Sequence, residues 1–212
     1  MPLKEGMNMK VLIVYYSMYG HVYELARAVE EGAKAIAGTE VLLRKVQEFD
    51  AVLQATASNE RVVKERERQK DVPVVTLDDL RVADAIIFGS PTRYGNMAAQ
   101  MKQLFDSTAQ LWLKGELEGK PAGAFTSTST THGGQETTLI TMMVPILHLG
   151  MIYVGVPYSV QELLHTEGRG GTPYGPSTIA GPMNDRPVPA EDKTVARALG
   201  RRVAEITKKL RG

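Results

Sequence analysis

The sequence predicts an α/β fold, an open, doubly wound parallel sheet of five strands with helices on both faces. Two observations carry this expectation. Short apolar runs recur at 11–16, 41–46, 85–89, 122–126 and 151–156, the pattern of strands buried on both faces. Each run leads into a polar or glycine-containing loop and, mostly, into helix-period sequence, the alternation of βαβ units.

The first run stops at Ser17-Met18-Tyr19-Gly20-His21, and Val22, Leu25, Ala26, Val29 and Ala33 then fall on one stripe of a helix. After the second run, residues 57–71 are charge-rich around Arg61 to Lys70, which reads as a solvated excursion or an exposed short helix with no chemistry assigned. Thr76-Leu77-Asp78-Asp79 fits a capping box opening a short helix before the third strand. Gly150 is expected to stop the helix before the fifth strand, and Pro145 to kink it. Residues 162–189 are rich in Gly and Pro and exceed the ~12–15 residues of an ordinary structureless connection, so they are expected to serve as a lid or a subunit contact. The last helix carries Val195, Leu199, Val203, Ile206 and Leu210 on one stripe, with Lys208, Lys209 and Arg211 where the helix dipole favours cations.

The 212 residues suit one domain, spanning 1–212 with residues 1–8 as a flexible extension. The 25 Lys and Arg balance 24 Asp and Glu for a net charge of +1, against the basic bias of a nucleic-acid binder. There is no Cys, which excludes disulfides and thiolate chemistry. No stretch approaches the ~18 apolar residues of a membrane span, and the first nine residues hold no apolar leader segment. A cytoplasmic protein with no membrane insertion is expected.

In an open parallel sheet, ligands bind outside the carboxyl ends of the strands, where strand order reverses. Three loops therefore belong together. In the first, Ser17, Met18, Tyr19, Gly20, His21 and Val22 offer a hydroxyl, a glycine allowing close approach, and successive amides at a helix N-terminus. Charge-assisted hydrogen bonds worth roughly 1.5–3 kcal/mol each let such donors hold a phosphate dianion without Arg or Lys. Taken alone, the loop reads equally as an ordinary βα turn. The loop after the third strand holds Pro91, Thr92, Arg93, Tyr94, Gly95 and Asn96, where Tyr94 is either a flat face for an aromatic heterocycle or a core residue. The loop after the fourth holds Ser127, Thr128, Ser129, Thr130, Thr131, His132 and Gly133, hydroxyls suited to the carbonyl and imide edge of a planar ring. A phosphorylated flat heterocycle fits all three.

Competing sites fail on missing residues. The first loop lacks G-x-G-x-x-G, and Gly115-Glu116-Leu117-Glu118-Gly119-Lys120 is too short for a Walker A loop and runs into Pro121. No carboxylates gather at the end of strand one as a phosphoacceptor domain requires, and there is no Gly-x-Ser-x-Gly elbow. The four His (His21, His132, His148, His165) are scattered, so no metal site is expected.

The chain resembles the flavodoxin-like NAD(P)H:quinone oxidoreductases of the WrbA (tryptophan-repressor-binding-protein-like) group along nearly its full length. The likeness rests on Tyr15-Tyr16-Ser17-Met18-Tyr19-Gly20-His21, on Phe88 through Met97, on Gly133-Gly134-Gln135-Glu136 and on Arg169-Gly170-Gly171-Thr172-Pro173-Tyr174-Gly175. It implies strand order 2-1-3-4-5 and FMN, with phosphate held by Ser17 to Val22, the ring flanked by Thr92, Arg93 and Tyr94, and further contacts from Ser127 to Gly133. It also implies a homotetramer, His148 at the flavin's substrate face, Trp112 walling the pocket across a subunit boundary, and Tyr19 binding the nicotinamide nucleotide. The hydroxyl loop is one residue longer than is usual in the group. His21-Val22 stands where electron-carrier flavodoxins have a terminal Thr, as it does in this group.

From the residues alone, His148 suits a helix C-terminus, Trp112 follows core-spaced Met101, Leu104, Phe105 and Leu111, and Arg93 is either a surface charge or a guide for the nucleotide's phosphates. The resemblance implies that NAD(P)H passes a hydride to flavin N5, departs, and is replaced by a quinone that takes both electrons. That is a ping-pong course with no protein nucleophile, with His148 as the only candidate assistant, and transfer in pairs suits protection against oxidative stress. The rivals are a non-catalytic electron carrier, usually strongly acidic, and a regulator-binding module in which flavin is structural.

Overall fold

The computed structural model describes residues 8–212; apart from Asn8, the extension expected at 1–8 lies outside them. Five parallel strands, β1 (Met9–Tyr15), β2 (Thr39–Lys45), β3 (Ala85–Arg93), β5 (Pro121–Thr128) and β6 (Ile152–Tyr153), run in the order β2-β1-β3-β5-β6, the order the resemblance implied. Two short strands join them: β4 (Asn96–Met97) pairs antiparallel with the end of β3, and β7 (Ser177–Ile179) lies parallel beside the carboxyl half of β5.

The period of two along β1 divides the core. Val11, Ile13 and Tyr15 pack beneath α1 (His21–Lys34) and α8 (Ala190–Arg211), while Leu12, Val14 and Tyr16 belong to the other core. That second layer holds α4 (Leu77–Val82), α5 (Ala99–Asp106), α6 (Ala109–Leu113) and α7 (Gln135–His148), through Leu80, Met101, Leu111 and Met142. Helices α1 and α8 touch backbone to backbone: a Cβ on Gly32 would lie 2.0 Å from the Arg197 carbonyl oxygen, and one on Gly200 2.0 Å from that of Val29. This close crossing seats α1, and with it the loop in front of α1, firmly on the sheet.

Several expectations are met in detail. Thr76 accepts from Asp79 N at 3.1 Å while the Asp79 carboxylate takes the Thr76 amide at 2.8 Å, the reciprocal box. Helix α7 ends before Gly150, whose φ is +73°. The charge-rich 57–71 contains α3 (Glu60–Arg68), a short helix that buries only Val62.

Other expectations need correction. The fifth strand, expected over 151–156, is reduced to Ile152–Tyr153, because Val156 N turns away to the Pro173 carbonyl (3.0 Å). The strand position thus left beside β5 is filled by β7. For this reason 162–189 is not a loose lid: Thr126 N donates to Pro176 O, Ala180 N to Thr128 O, and the buried Ser177 hydroxyl to Gln135 Oε1. The stretch after Ser90 is not a plain loop either, since β3 runs on to Arg93 and turns at Tyr94-Gly95 into β4. The stripe on α8 also ends early, with Leu210 exposed.

Candidate functional site

At the carboxyl edge the loop after β1 enters α1 through Gly20 at φ +91°. Ser17 Oγ accepts from Tyr23 N (3.1 Å), and Gly20 O accepts from Glu24 N (2.9 Å). The backbone amides of Met18 through Val22 donate to no protein acceptor among the described residues. A run of free amides at the positive end of a helix dipole is an anion cradle. Only glycine takes φ +91° without cost, and a Cβ there would also lie 2.4 Å from Glu65 Oε2 of α3.

These residues face a cleft of about 290 Å³ lined by Ser17, Met18, Tyr19, His21 and Val22 from the first loop, Pro91, Thr92 and Arg93 from β3, and Ser127, Thr128 and Ser129 at the end of β5. Convergence of the three segments is therefore observed. Within β3, the Thr92 hydroxyl accepts from Gly95 N (3.1 Å) and from the Thr138 hydroxyl (2.8 Å), which fixes the wall of the cleft. His21 is 7% exposed, and its Nε2 donates to the Arg186 carbonyl at 2.8 Å. Burial pushes its imidazole below the usual pKa, the carbonyl opposing it in part. The ring is thus neutral at pH 7, locked with its proton on Nε2.

Beside the cleft, Tyr94 and Asn96 line a neighbouring groove. Tyr94 (φ +53°) and Gly95 (φ +80°) form a two-residue hairpin turn with both residues left-handed. A tyrosine held this way stores roughly 1–2 kcal/mol of strain, and its side chain stands wholly in solvent. It is neither core nor packed, which leaves its ring free to meet a ligand.

Not every expected residue arrives. Thr130, Thr131, His132 and Gly133 do not line the cleft, because the lengthened loop closes on itself: Gly133 N donates to Thr130 O, the Thr128 hydroxyl also to Thr130 O, and Gln135 Nε2 to Thr131 O. His148 ends α7 at the opposite edge of the sheet, where Gly119 N, two residues before β5, donates to Gly150 O. Fourteen helical residues at 1.5 Å each put it about 20 Å from the start of α7. Trp112, on α6, is 59% exposed and lies outside the cleft, not in the core its spacing suggested.

The sequence reading also missed residues. Ala180 and Asn184 complete the cleft, with Asn184 at φ +55° in a turn whose Arg186 carbonyl holds His21. Asn and Asp in Pro182-Met183-Asn184-Asp185 are the turn signal that pointed there. Helix α3, assigned no chemistry, braces the first loop through Gln69 Nε2, 3.3 Å from the Ser17 carbonyl.

The free amides, Gly20 and the hydroxyl wall suit a phosphorylated planar ring, and FMN has that form. The family model for NADPH-dependent FMN reductase matches residues 9–162. An NAD(P)H dehydrogenase (quinone) of Syntrophobacter fumaroxidans is 49% identical over 204 residues, covering 95% of this chain and 98% of that protein. One of Geobacter metallireducens is 48% identical over 208 residues, covering 96% and 100%. Among solved structures, a flavodoxin, WrbA-like protein from Agrobacterium tumefaciens shares the fold with a TM-score of 0.64 at 23% identity, over 95% of this chain and 99% of that one. Oxidised flavodoxin 1 from Bacillus cereus does so with a TM-score of 0.57 at 15% identity, over 92% and 97%.

Proposed function

This chain belongs to the NADPH-dependent FMN reductase family, and from that premise we propose that it is an FMN-dependent NAD(P)H:quinone oxidoreductase. The observation that carries the reading is the set of unpartnered amides from Met18 to Val22 around Gly20, opening on a cleft walled by hydroxyls. Relatives about half identical over almost their whole length bear the name NAD(P)H dehydrogenase (quinone), which supports the donor and the acceptor.

The five amides and the Ser17 hydroxyl hold the phosphate without a lysine or arginine in the loop. Pro91, Thr92 and Arg93 bound one side of the ring site and Ser127 to Ser129 the other. Tyr94, upright in its strained turn, flanks the open face, and Arg93 offers a cation to the nucleotide's phosphates. Bound there, FMN supplies a ring that accepts a hydride at N5 from the nicotinamide and delivers two electrons to the quinone. The side chains bind, orient and exclude water, and no protein nucleophile is needed. Nucleotide and quinone use the same opening in turn, a ping-pong course, and electrons moved in pairs suit a protective role under oxidative stress.

We further read the protein as a homotetramer. Trp112 and Leu113 on α6 and Val144 and Leu147 on α7 are large, apolar and exposed in the helical layer that also ends in His148, and apolar side chains left exposed in this way favour a covering partner. Assembly would bring Trp112 and His148 to the open face of a neighbour's ring site, with Tyr19 on the nucleotide. A cytoplasmic location suits the chain: among the described residues no helix is long and apolar enough to cross a membrane.

The visible spectrum of the purified protein tests the reading. Flavin bands that bleach on anaerobic addition of NADH and return with a benzoquinone are expected. Protein that stays colourless after soaking in FMN, with no rise in melting temperature, overturns it.

A further inference from the structure

A second opening adjoins the cleft. Between α2 (Asp50–Ala55) and the start of α5 lies a groove of about 550 Å³, whose walls include Tyr16, Met18, Phe49, Val52 and Met97. Met18 and Arg93 line both the groove and the cleft, so one runs into the other. The floor is fixed: the Tyr16 phenol donates to Glu48 Oε2 (2.8 Å) and Gln100 Nε2 to Glu48 Oε1 (2.6 Å). Burial and the Glu48 carboxylate hold that phenol above its ordinary pKa, so it stays a neutral donor.

Helix α2 is unusual in burying none of its residues, although Phe49 before it and Val52 within it are apolar and face the groove. A surface helix normally turns such residues onto the core. Here they form the wall of a channel whose charged groups, Arg93 and Lys102, are both exposed, and Lys102 is already paired with Asp106 at 2.6 Å. An anionic nucleotide would find one unpaired cation and several apolar walls. A hydrocarbon chain would find apolar surface continuous with the ring site.

We infer that this groove takes the isoprenoid tail of the quinone, and that the physiological acceptor is a prenylated quinone whose head enters the cleft. This rests on the oxidoreductase reading above. Phe49 and Val52 are the specificity-determining residues, because they alone among the walls come from α2 and its lead-in and serve no core.

Two measurements test it. In the first, kcat/KM is compared for menadione, which has no tail, and for the same naphthoquinone carrying one prenyl unit. Five buried carbons favour the prenylated quinone by about tenfold or more. Phe49→Ser with Val52→Ser brings that ratio close to one. A ratio near one in the unsubstituted protein, or a tenfold ratio that survives both substitutions, overturns the inference. Failure to reduce either quinone overturns the oxidoreductase reading instead.

The second measurement needs no turnover. The ten methionines are labelled at their methyl carbons and the FMN-loaded protein is titrated with geraniol. A shift of the Met97 signal is expected; Met18 is less diagnostic because it also lines the cleft. If Met97 is silent to geraniol, or moves instead with adenosine 2′,5′-bisphosphate, the groove belongs to no tail.

Discussion

The two edges of the sheet are built from opposite materials. At the carboxyl edge the chain presents backbone: free amides over Gly20, hydroxyls at the ends of β3 and β5, and a strained hairpin tip. In the helical layer that runs to the other edge it presents apolar side chains in solvent, Trp112 and Leu113 on α6 and Leu147, next in sequence to His148, at the end of α7. The first edge is concave and polar, a place for a small anion. The second is apolar and exposed. The residues that the resemblance assigned to one active site are divided between these edges, about one helix length apart. One chain alone does not bring Trp112 and His148 to its own cleft, and the proposed assembly is what would have to supply them.

The largest effect should come from the apolar edge. Leu147→Asp puts a charge where the proposed interface would bury it unpaired, a loss of about 3–5 kcal/mol, or well over 100-fold in association. Sedimentation should show monomers, with quinone turnover down at least tenfold while FMN stays bound. An unchanged assembly would break the division of labour drawn here.

The cradle gives the next effect. Gly20→Val forces a β-branched residue to φ +91°, a strain of about 1–3 kcal/mol. The nearby Glu65 carboxylate ends a flexible side chain and can turn aside, so the backbone sets the cost. FMN affinity should fall about 10- to 100-fold, read by fluorescence quenching, while the assembly stays intact. Retention of full affinity would mean that the amides from Met18 to Val22 are not the phosphate site.

This asymmetry also explains what could be read in advance. Strands β1, β3 and β5 were legible because burial on both faces demands continuous apolar runs and they lie where those runs are, whereas the run at 151–156 yields only the two-residue β6. The cradle was legible because a hydroxyl, a glycine and a helix start are adjacent in sequence. Strand β7 was not, since Ser177-Thr178-Ile179 carries little apolar character and is held by pairing with β5 and by the Gln135 side chain. Gly95 marked a tight turn in the sequence, but the left-handed Tyr94 beside it and the pairing of β3 with β4 were hidden, because tyrosine is a poor left-handed residue. Thr130 to His132 looked like ligand donors by composition, yet their turn closes on the carbonyls of Thr130 and Thr131 and leaves their side chains exposed outside the cleft. Residue type announces what a group can bond. Where that group is carried is decided by the fold.

His21 offers the smallest test, and one confined to the cradle. Burial away from water lowers its pKa from the ordinary 6.5, and the hydrogen bond to the Arg186 carbonyl opposes this only in part. The unfolded chain therefore takes up a proton at a higher pH than the folded one. The sign follows: the contribution is present above pH 6.5 and is lost as pH falls through 6.5 toward the depressed folded value. Without FMN, melting temperature should drop further between pH 7 and pH 5 than in His21→Gln, whose amide can still donate to Arg186. Bound phosphate reverses part of this, because a nearby dianion favours the imidazolium. FMN should therefore flatten the pH dependence more in the unsubstituted chain than in the variant. Equal flattening in both would mean that the phosphate sits too far from His21 to be felt, and the cradle would have to be redrawn toward Ser17.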